Sequence, residues 1–155
     1  MMHSRSANNK INRLQERALR FVYNDYISSF GDLLNRDGSF TIHHHNIQSL
    51  AIEVYKSFHG LSCEPLEGIF QKNSNHYNLR YDTDVFRPYV GSVGFGEKSL
   101  RYFSSIVWRM IPSEIKEAFS LKKFKEKIRK WRPEDCPCRL CQEFIPGVGF
   151  VKIYE

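Results

Sequence analysis

Three thiols within six residues form the densest group of chemistry-bearing side chains in this sequence. Cys136-Pro137-Cys138-Arg139-Leu140-Cys141 overlays a C-x-C spacing on a C-x-x-C spacing. Thiolates on so short a loop can face a common point, and Zn²⁺ binds such sulfur at about 2.3 Å. Cys136, Cys138 and Cys141 are therefore candidate ligands, with structural Zn²⁺ as the expected cofactor. A closed site needs a fourth ligand. Cys63, His43, His44, His45, His59 and Asp135 are all open to that role. The competing reading is a reduced, partly buried thiol cluster that bridges nothing. C-x-x-C is also a redox motif, but no thioredoxin-like βαβ pattern surrounds it.

The second concentration is of positive charge. Between Lys98 and Arg132 lie eleven basic residues against three acidic ones, Glu114, Glu117 and Glu126, whereas the rest of the chain is close to balance. The charge is densest from residue 121 to 131, where Leu121, Phe124, Ile128 and Trp131 recur at helical spacing and occupy the apolar face. The Lys and Arg side chains must then project on a shared, solvent-facing side. Lys116, Lys122, Lys123, Lys125, Lys127, Arg129, Lys130 and Arg132 are the candidate nucleic-acid-binding residues. A stripe of cations along a helix gains free energy by displacing counterions from phosphates. Nothing here looks like base readout, so the expected contacts are to the backbone of RNA or DNA. The competing reading is a solvated helix face that keeps the protein soluble.

Other groups offer less. Adjacent residues on a helix point in different directions, so His43-His44-His45 cannot form a tight facial triad. One is expected to face a core and two to face water. Tyr23-Asn24-Asp25-Tyr26 and Tyr81-Asp82-Thr83-Asp84 look like polymerase signatures, but two-metal chemistry needs carboxylates converging from a strand turn. The first has one carboxylate and the second has the wrong spacing. No P-loop, G-x-S-x-G or supported Ser/His/Asp grouping is present. Gly91, Gly94 and Gly96 do not introduce a helix and read as turn residues. No convergent catalytic set emerges, and the expectation is a chain that is not an enzyme.

The elements that must position these groups are mainly helical. Asn8 or Asn9 can cap a first helix, in which Ile11, Leu14, Ala18, Phe21 and Val22 follow helical spacing and Arg13, Arg17 and Arg20 fall on the other side. Ser28-Ser29 precedes a short helical turn through Leu33 and Leu34, and Arg36-Asp37-Gly38-Ser39 is a turn signal. Thr41 can cap and Gly60 can stop a second long helix, with Ile47, Leu50, Ala51, Val54, Tyr55 and Phe58 as its apolar stripe. Residues 71–98 read as a long ordered loop or small hairpin, with extended pieces at Tyr77–Tyr81 and Phe86–Val90. Helix returns from Ser99, with Phe103, Ile106, Val107, Met110 and Ile111 on one face. Pro112 ends that helix or starts the next, and Ser120 can cap the basic helix, which Pro133 ends.

The division expected is a disordered lead-in over 1–9, a helical domain over 10–132 with a loop insertion at about 71–98, and a cysteine-containing tail over 133–155. An aromatic fraction of 14% across 155 residues supplies a real core. The net charge of +6 favours polyanionic partners. No apolar run reaches the roughly 18 residues of a membrane helix, and the start of the chain lacks an apolar signal core. Clustered rather than scattered cysteines point to reduced thiols. The expectation is an intracellular protein, cytoplasmic or nuclear, with no membrane partner.

Several segments taken in order carry a resemblance. They are Ile11-Asn12-Arg13-Leu14-Gln15-Glu16-Arg17-Ala18-Leu19-Arg20; Leu50-Ala51-Ile52-Glu53-Val54-Tyr55-Lys56 with His59-Gly60-Leu61-Ser62; and Tyr77-Asn78-Leu79-Arg80. After them come Ile106-Val107-Trp108, Ile111-Pro112-Ser113-Glu114-Ile115-Lys116, Leu121-Lys122-Lys123-Phe124-Lys125 and the Cys136–Cys141 tail. In this order they resemble the C-terminal end of reverse transcriptases (RNA-directed DNA polymerases) from non-LTR, jockey-like retrotransposons, over about Ile11 to Val151. The resemblance implies a thumb-like helical domain and basic tail that hold template and primer. It also implies a catalytic palm, with its paired aspartates, upstream and absent from this chain, which would make the chain a fragment without polymerase activity of its own. One departure is Cys63, where proline is expected after the His-Gly-Leu-Ser segment. The alternative is a structural or protein-interaction module, whose apolar helices would pack on such a palm domain or on a second copy of the chain.

Overall fold

A computed structural model describes residues 5–72, 85, 89, 99–132, 144–145 and 149–150. Seven α-helices dominate them, so the chain is mainly helical. It divides into two compact units. One comprises Met2–Asn46 with Glu134–Glu155, and the other Ile47–Pro133.

In the first unit, α1 spans Arg5–Tyr23 and α2 spans Phe30–Asp37. The α1 start at Arg5 lies ahead of the Asn8 or Asn9 cap expected from sequence. An Asn can cap a helix but does not compel one to begin, and here both lie inside it. The turn between the helices is Tyr23-Asn24-Asp25-Tyr26. Asn24 takes a left-handed conformation at φ 49°, which Asn tolerates better than most residues. The Asp25 carboxylate accepts hydrogen bonds from the Ile27 and Ser28 amides at 3.0 and 2.9 Å and from the Ser28 hydroxyl at 2.7 Å. Its carboxylate is thus engaged in building the turn. Ser29 and Asp32 then form a reciprocal capping box for α2, and Gly38 ends it at φ 67°. Leu19, Phe30, Leu33 and Leu34 make the core of this pair, with Tyr23 packed against it. The Tyr23 hydroxyl donates to Asp37 at 2.8 Å, and the Arg36 guanidinium lies over the Tyr23 ring at 4.8 Å.

The covered face of α1 differs from the expected one. Leu14, Phe21 and Val22 are 63%, 81% and 68% exposed, and Ala18 is exposed beside them. The buried face instead runs through Asn12 and Leu19, with Gln15 and Tyr23 half-buried. Gln15 Nε2 donates to the Phe40 carbonyl at 2.8 Å, which ties that face to the segment leading into α3. The most apolar stripe of a helix is buried only if something is placed over it. In this unit α2 lies against the face of Leu19 and Tyr23.

Hydrogen bonding from the Ser28 side chain and amide and the Ile27 amide, helped by Arg36 at 3.7 Å, brings the Asp25 carboxyl down to about 2. In an unfolded chain it returns to about 3.9. A depressed folded-state value stabilises the fold above about pH 4, and that stabilisation is lost as pH falls through about 2. Asp25→Ala is therefore expected to lower the thermal midpoint at neutral pH and to flatten its fall between about pH 4 and pH 2. Thermal melts across that window read both; parallel curves for the two proteins would refute the assignment.

α3 (Ile42–Phe58) begins in the first unit and continues into the second, where it is followed by α4 (Glu64–Glu67), α5 (Leu100–Met110), α6 (Ser113–Lys116) and α7 (Leu121–Lys130). Thr41 caps α3, its hydroxyl accepting from the His44 amide at 3.3 Å. Gly60, at φ 64°, turns the chain out of it. Ile47, Ala51, Val54 and Tyr55 are buried as expected, joined by Tyr102, Phe103, Val107, Trp108 and Ile111 on and just after α5. Ser99 caps α5. Ser104 and Ser105 are also buried, and their hydroxyls bond back to the carbonyls of Arg101 and Tyr102 at 2.9 and 2.7 Å. That local bonding lets α5 bury serines at little cost.

The extended pieces expected at 77–81 and 86–90 fall almost wholly outside the described residues. An isolated antiparallel bridge joins Lys72 to Val85. In the tail, β1 (Phe144–Ile145) pairs antiparallel with β2 (Gly149–Phe150). The cysteines at 136, 138 and 141 lie outside the described residues.

Candidate nucleic-acid interface

The basic helix α7 forms because its signals agree. Ser120 is extended and its side chain accepts from the Lys123 amide at 3.3 Å, an N-cap. Phe124 and Ile128 are fully buried, and Leu121 and Trp131 are half-buried. Basic residues crowd the last turn, where they interact favourably with the helix dipole.

Two side chains on α3 hold α7 in place. Gln48 Nε2 donates to the carbonyls of Arg129 and Trp131 at 3.3 and 3.0 Å. The last carbonyls of a helix have no partner within it, so a buried amide supplied by another helix closes this end. The Tyr55 hydroxyl donates to the Ala118 carbonyl at 2.6 Å, just ahead of the Ser120 cap. The Tyr55 ring stacks on Phe124 at 4.2 Å and on His59 at 3.9 Å, and Trp108 lies 6.1 Å beyond Phe124. Both ends and the middle of α7 are thereby pinned, and its outer surface is presented rigidly.

Neither Gln48 nor the Tyr55 hydroxyl was singled out by sequence. A signal existed for Gln48: it shares helical spacing with Ala51 and Tyr55 and so interrupts an apolar stripe with an amide. Replacing it by leucine should cost about 1 kcal/mol, because two part-buried carbonyls lose their donor. Denaturant unfolding checks this; a midpoint unchanged from the wild type would show that water replaces the amide.

The outer arc of α7 carries Lys122, Lys123, Lys127, Arg129 and Lys130, all exposed. Lys122 and Arg129 stand two turns apart on one line, the first toward the start of the helix and the second near its end. Lys123 pairs with Glu126 at 3.2 Å, with both side chains about half exposed, so the pair is weak and readily exchanged for a phosphate. The Lys127 ammonium donates to the Glu114 carbonyl at 2.6 Å. Lys125 is half-buried at the margin of the arc, and Arg132 is exposed just past the helix end. Lys116 stands apart on α6, half-buried, with its ammonium 5.7 Å from the centre of the Trp108 ring. Five of the eight candidate cations therefore share one surface, Lys125 and Arg132 border it, and Lys116 belongs to a different contact. Glu126 is the acidic residue of that helix.

Of the three adjacent histidines one is expected in a core and two in water; His43 is buried, His44 half-buried and His45 exposed. The His59 ring is taken up by its stack on Tyr55, with Nδ1 2.8 Å from the Tyr55 carbonyl. Cys63 is exposed ahead of α4. Among the described residues no group of three His, Cys, Asp or Glu could hold a metal ion. No described helix is long and apolar enough to cross a membrane.

No protein-family model, curated protein or solved structure matches the chain.

Proposed function

We propose that this chain holds RNA or DNA by its phosphate backbone, as the C-terminal, template- and primer-holding part of a polymerase of the non-LTR retrotransposon type. It does so without polymerase activity of its own. The observation that carries the reading is the outer arc of α7. Five cations project from a helix fixed at both ends, and a single, weakly paired carboxylate lies among them. A rigid row of cations loses little conformational freedom on meeting a polyanion, and the counterions it displaces drive association. Among the described residues the arc carries no Asn or Gln suited to adenine edges, and its Lys and Arg serve phosphates, so binding is expected to tolerate sequence. Arg132 extends the surface beyond the helix end, and Lys116 is a lesser contributor. The order of segments from Ile11 to the cysteine tail supports the ancestry. The same reading gives Cys136, Cys138 and Cys141 a structural Zn²⁺, held as thiolates and completed by a fourth ligand.

The test is binding of single-stranded RNA, single-stranded DNA and duplex DNA across a salt series. The expected result is a linear fall of log affinity with log salt, with little preference among sequences of one type. Salt-independent binding, or none at low salt, would overturn the reading.

A further inference from the structure

We infer that the exposed stripe of α1 is a docking seam for an acidic amphipathic helix of another protein. Two observations carry this. First, α1 is inverted with respect to its own composition. Leu14, Phe21 and Val22 are 63%, 81% and 68% exposed, whereas Asn12 is 6% exposed. Among the described residues the Asn12 amide nitrogen and the Gln15 amide oxygen are buried without a hydrogen-bond partner. Burying unsatisfied amides while leaving large apolar groups in water costs on both counts. Covering the stripe recovers the second of these.

The second observation is the arrangement of the stripe. Ile11, Leu14, Ala18 and Phe21 recur in the alternating three- and four-residue steps of a helix-pairing seam, with small Ala18 between larger neighbours. One border of that seam is basic: Lys10 and Arg17 precede Ile11 and Ala18 at equivalent positions, and Arg13 lies next to them. All three are exposed. Glu16, the acidic residue of this stretch, faces elsewhere and is joined to Arg20 at 2.7 Å. Border charges decide which helices pair. A second copy of α1 offers no carboxylate to Lys10 and Arg17, and run antiparallel it would set them against each other. The partner that fits places apolar residues on the seam and Glu or Asp along its border. The α7 arc takes no part in this contact.

The probes are two synthetic helical peptides with leucine at the seam positions, one bordered by glutamate and the other by lysine. Like charges on each peptide oppose its self-pairing. Titrated against the full chain, the glutamate peptide is expected to bind at least about tenfold more tightly than the lysine peptide, a difference of about 1.4 kcal/mol. Leu14→Gln with Phe21→Gln should abolish that binding. Both side chains are exposed, so helicity and thermal midpoint should hold and report an intact fold. Lys10→Glu with Arg17→Glu should reverse the preference toward the lysine peptide. Glutamine at Lys122, Lys123, Lys125 and Arg129 should leave peptide binding unchanged. The inference is overturned if the glutamate peptide fails to bind, if the two peptides bind alike, or if the Leu14 and Phe21 changes have no effect. It is equally overturned if sedimentation shows dimers that those changes dissolve, or if the stripe recruits the chain to phosphatidylserine vesicles while neither peptide binds.

Discussion

Glutamine at Lys122, Lys123, Lys125 and Arg129 together should reduce nucleic-acid binding to background at physiological salt and leave only weak binding at low salt, where its salt slope can be read. Each phosphate contact contributes a log–log salt slope of about 0.7 for a single strand and about 0.9 for a duplex. If all four residues meet phosphates of a single strand, the slope falls by about 2.8. A fourfold rise in salt would then weaken the wild type by about fifty-fold more than the variant. Lys122, Lys123 and Arg129 are exposed and Lys125 half-buried, and glutamine preserves helix propensity and most of the aliphatic stem. Far-UV circular dichroism and the thermal midpoint should therefore match the wild type. Arg13→Gln with Arg17→Gln removes charge from α1 instead of α7 and should leave the slope alone. Affinity and slope that survive the fourfold change would remove α7 as the contact and leave only the ancestry suggested by segment order.

Phe124→Ala should be the most damaging single change on α7. Phe124 is fully buried between Tyr55 and Trp108. Truncating such a ring costs about 3–5 kcal/mol through lost transfer energy and the cavity left behind. That is a large part of the roughly 5–15 kcal/mol that holds an ordinary domain. The ring is also what seats α7 against α3, so the variant should lose the rigid presentation of its cations along with its stability. Phe119→Ala is the control, since Phe119 is 86% exposed and should shift stability by no more than about 0.5 kcal/mol. Thermal or denaturant unfolding distinguishes them; comparable small losses for both would mean that α7 is not anchored by its aromatic contact.

Most of the helices were legible because their signals are local. Thr41 and Ser120 act as caps where sequence placed them, helix resumes after Ser99 as its pattern indicated, and Gly60 turns the chain out of α3. These residues act on backbone groups within a few positions, so no knowledge of the fold is needed. The α1 start was misplaced for the complementary reason. A capping residue is permissive, and Asn8 and Asn9 sit within a helix that begins at Arg5. The basic arc was legible as composition, but its membership was not. Lys116 reads as one more lysine of the run, yet its ammonium lies near Trp108, a contact between elements that spacing does not encode.

The chain's own order of residues determined that it is mainly helical, where most helices start and stop, and that positive charge concentrates on one of them. Each of these depends on neighbours within a turn or two. Tertiary packing decided which face of α1 is covered, that Gln48 and Tyr55 pin α7, and which cations share a surface. Periodicity can mark a stripe as apolar, but burial requires a second surface to meet it. On α1 the surface provided by α2 meets Leu19 and Tyr23, and Leu14 and Phe21 are left facing outward.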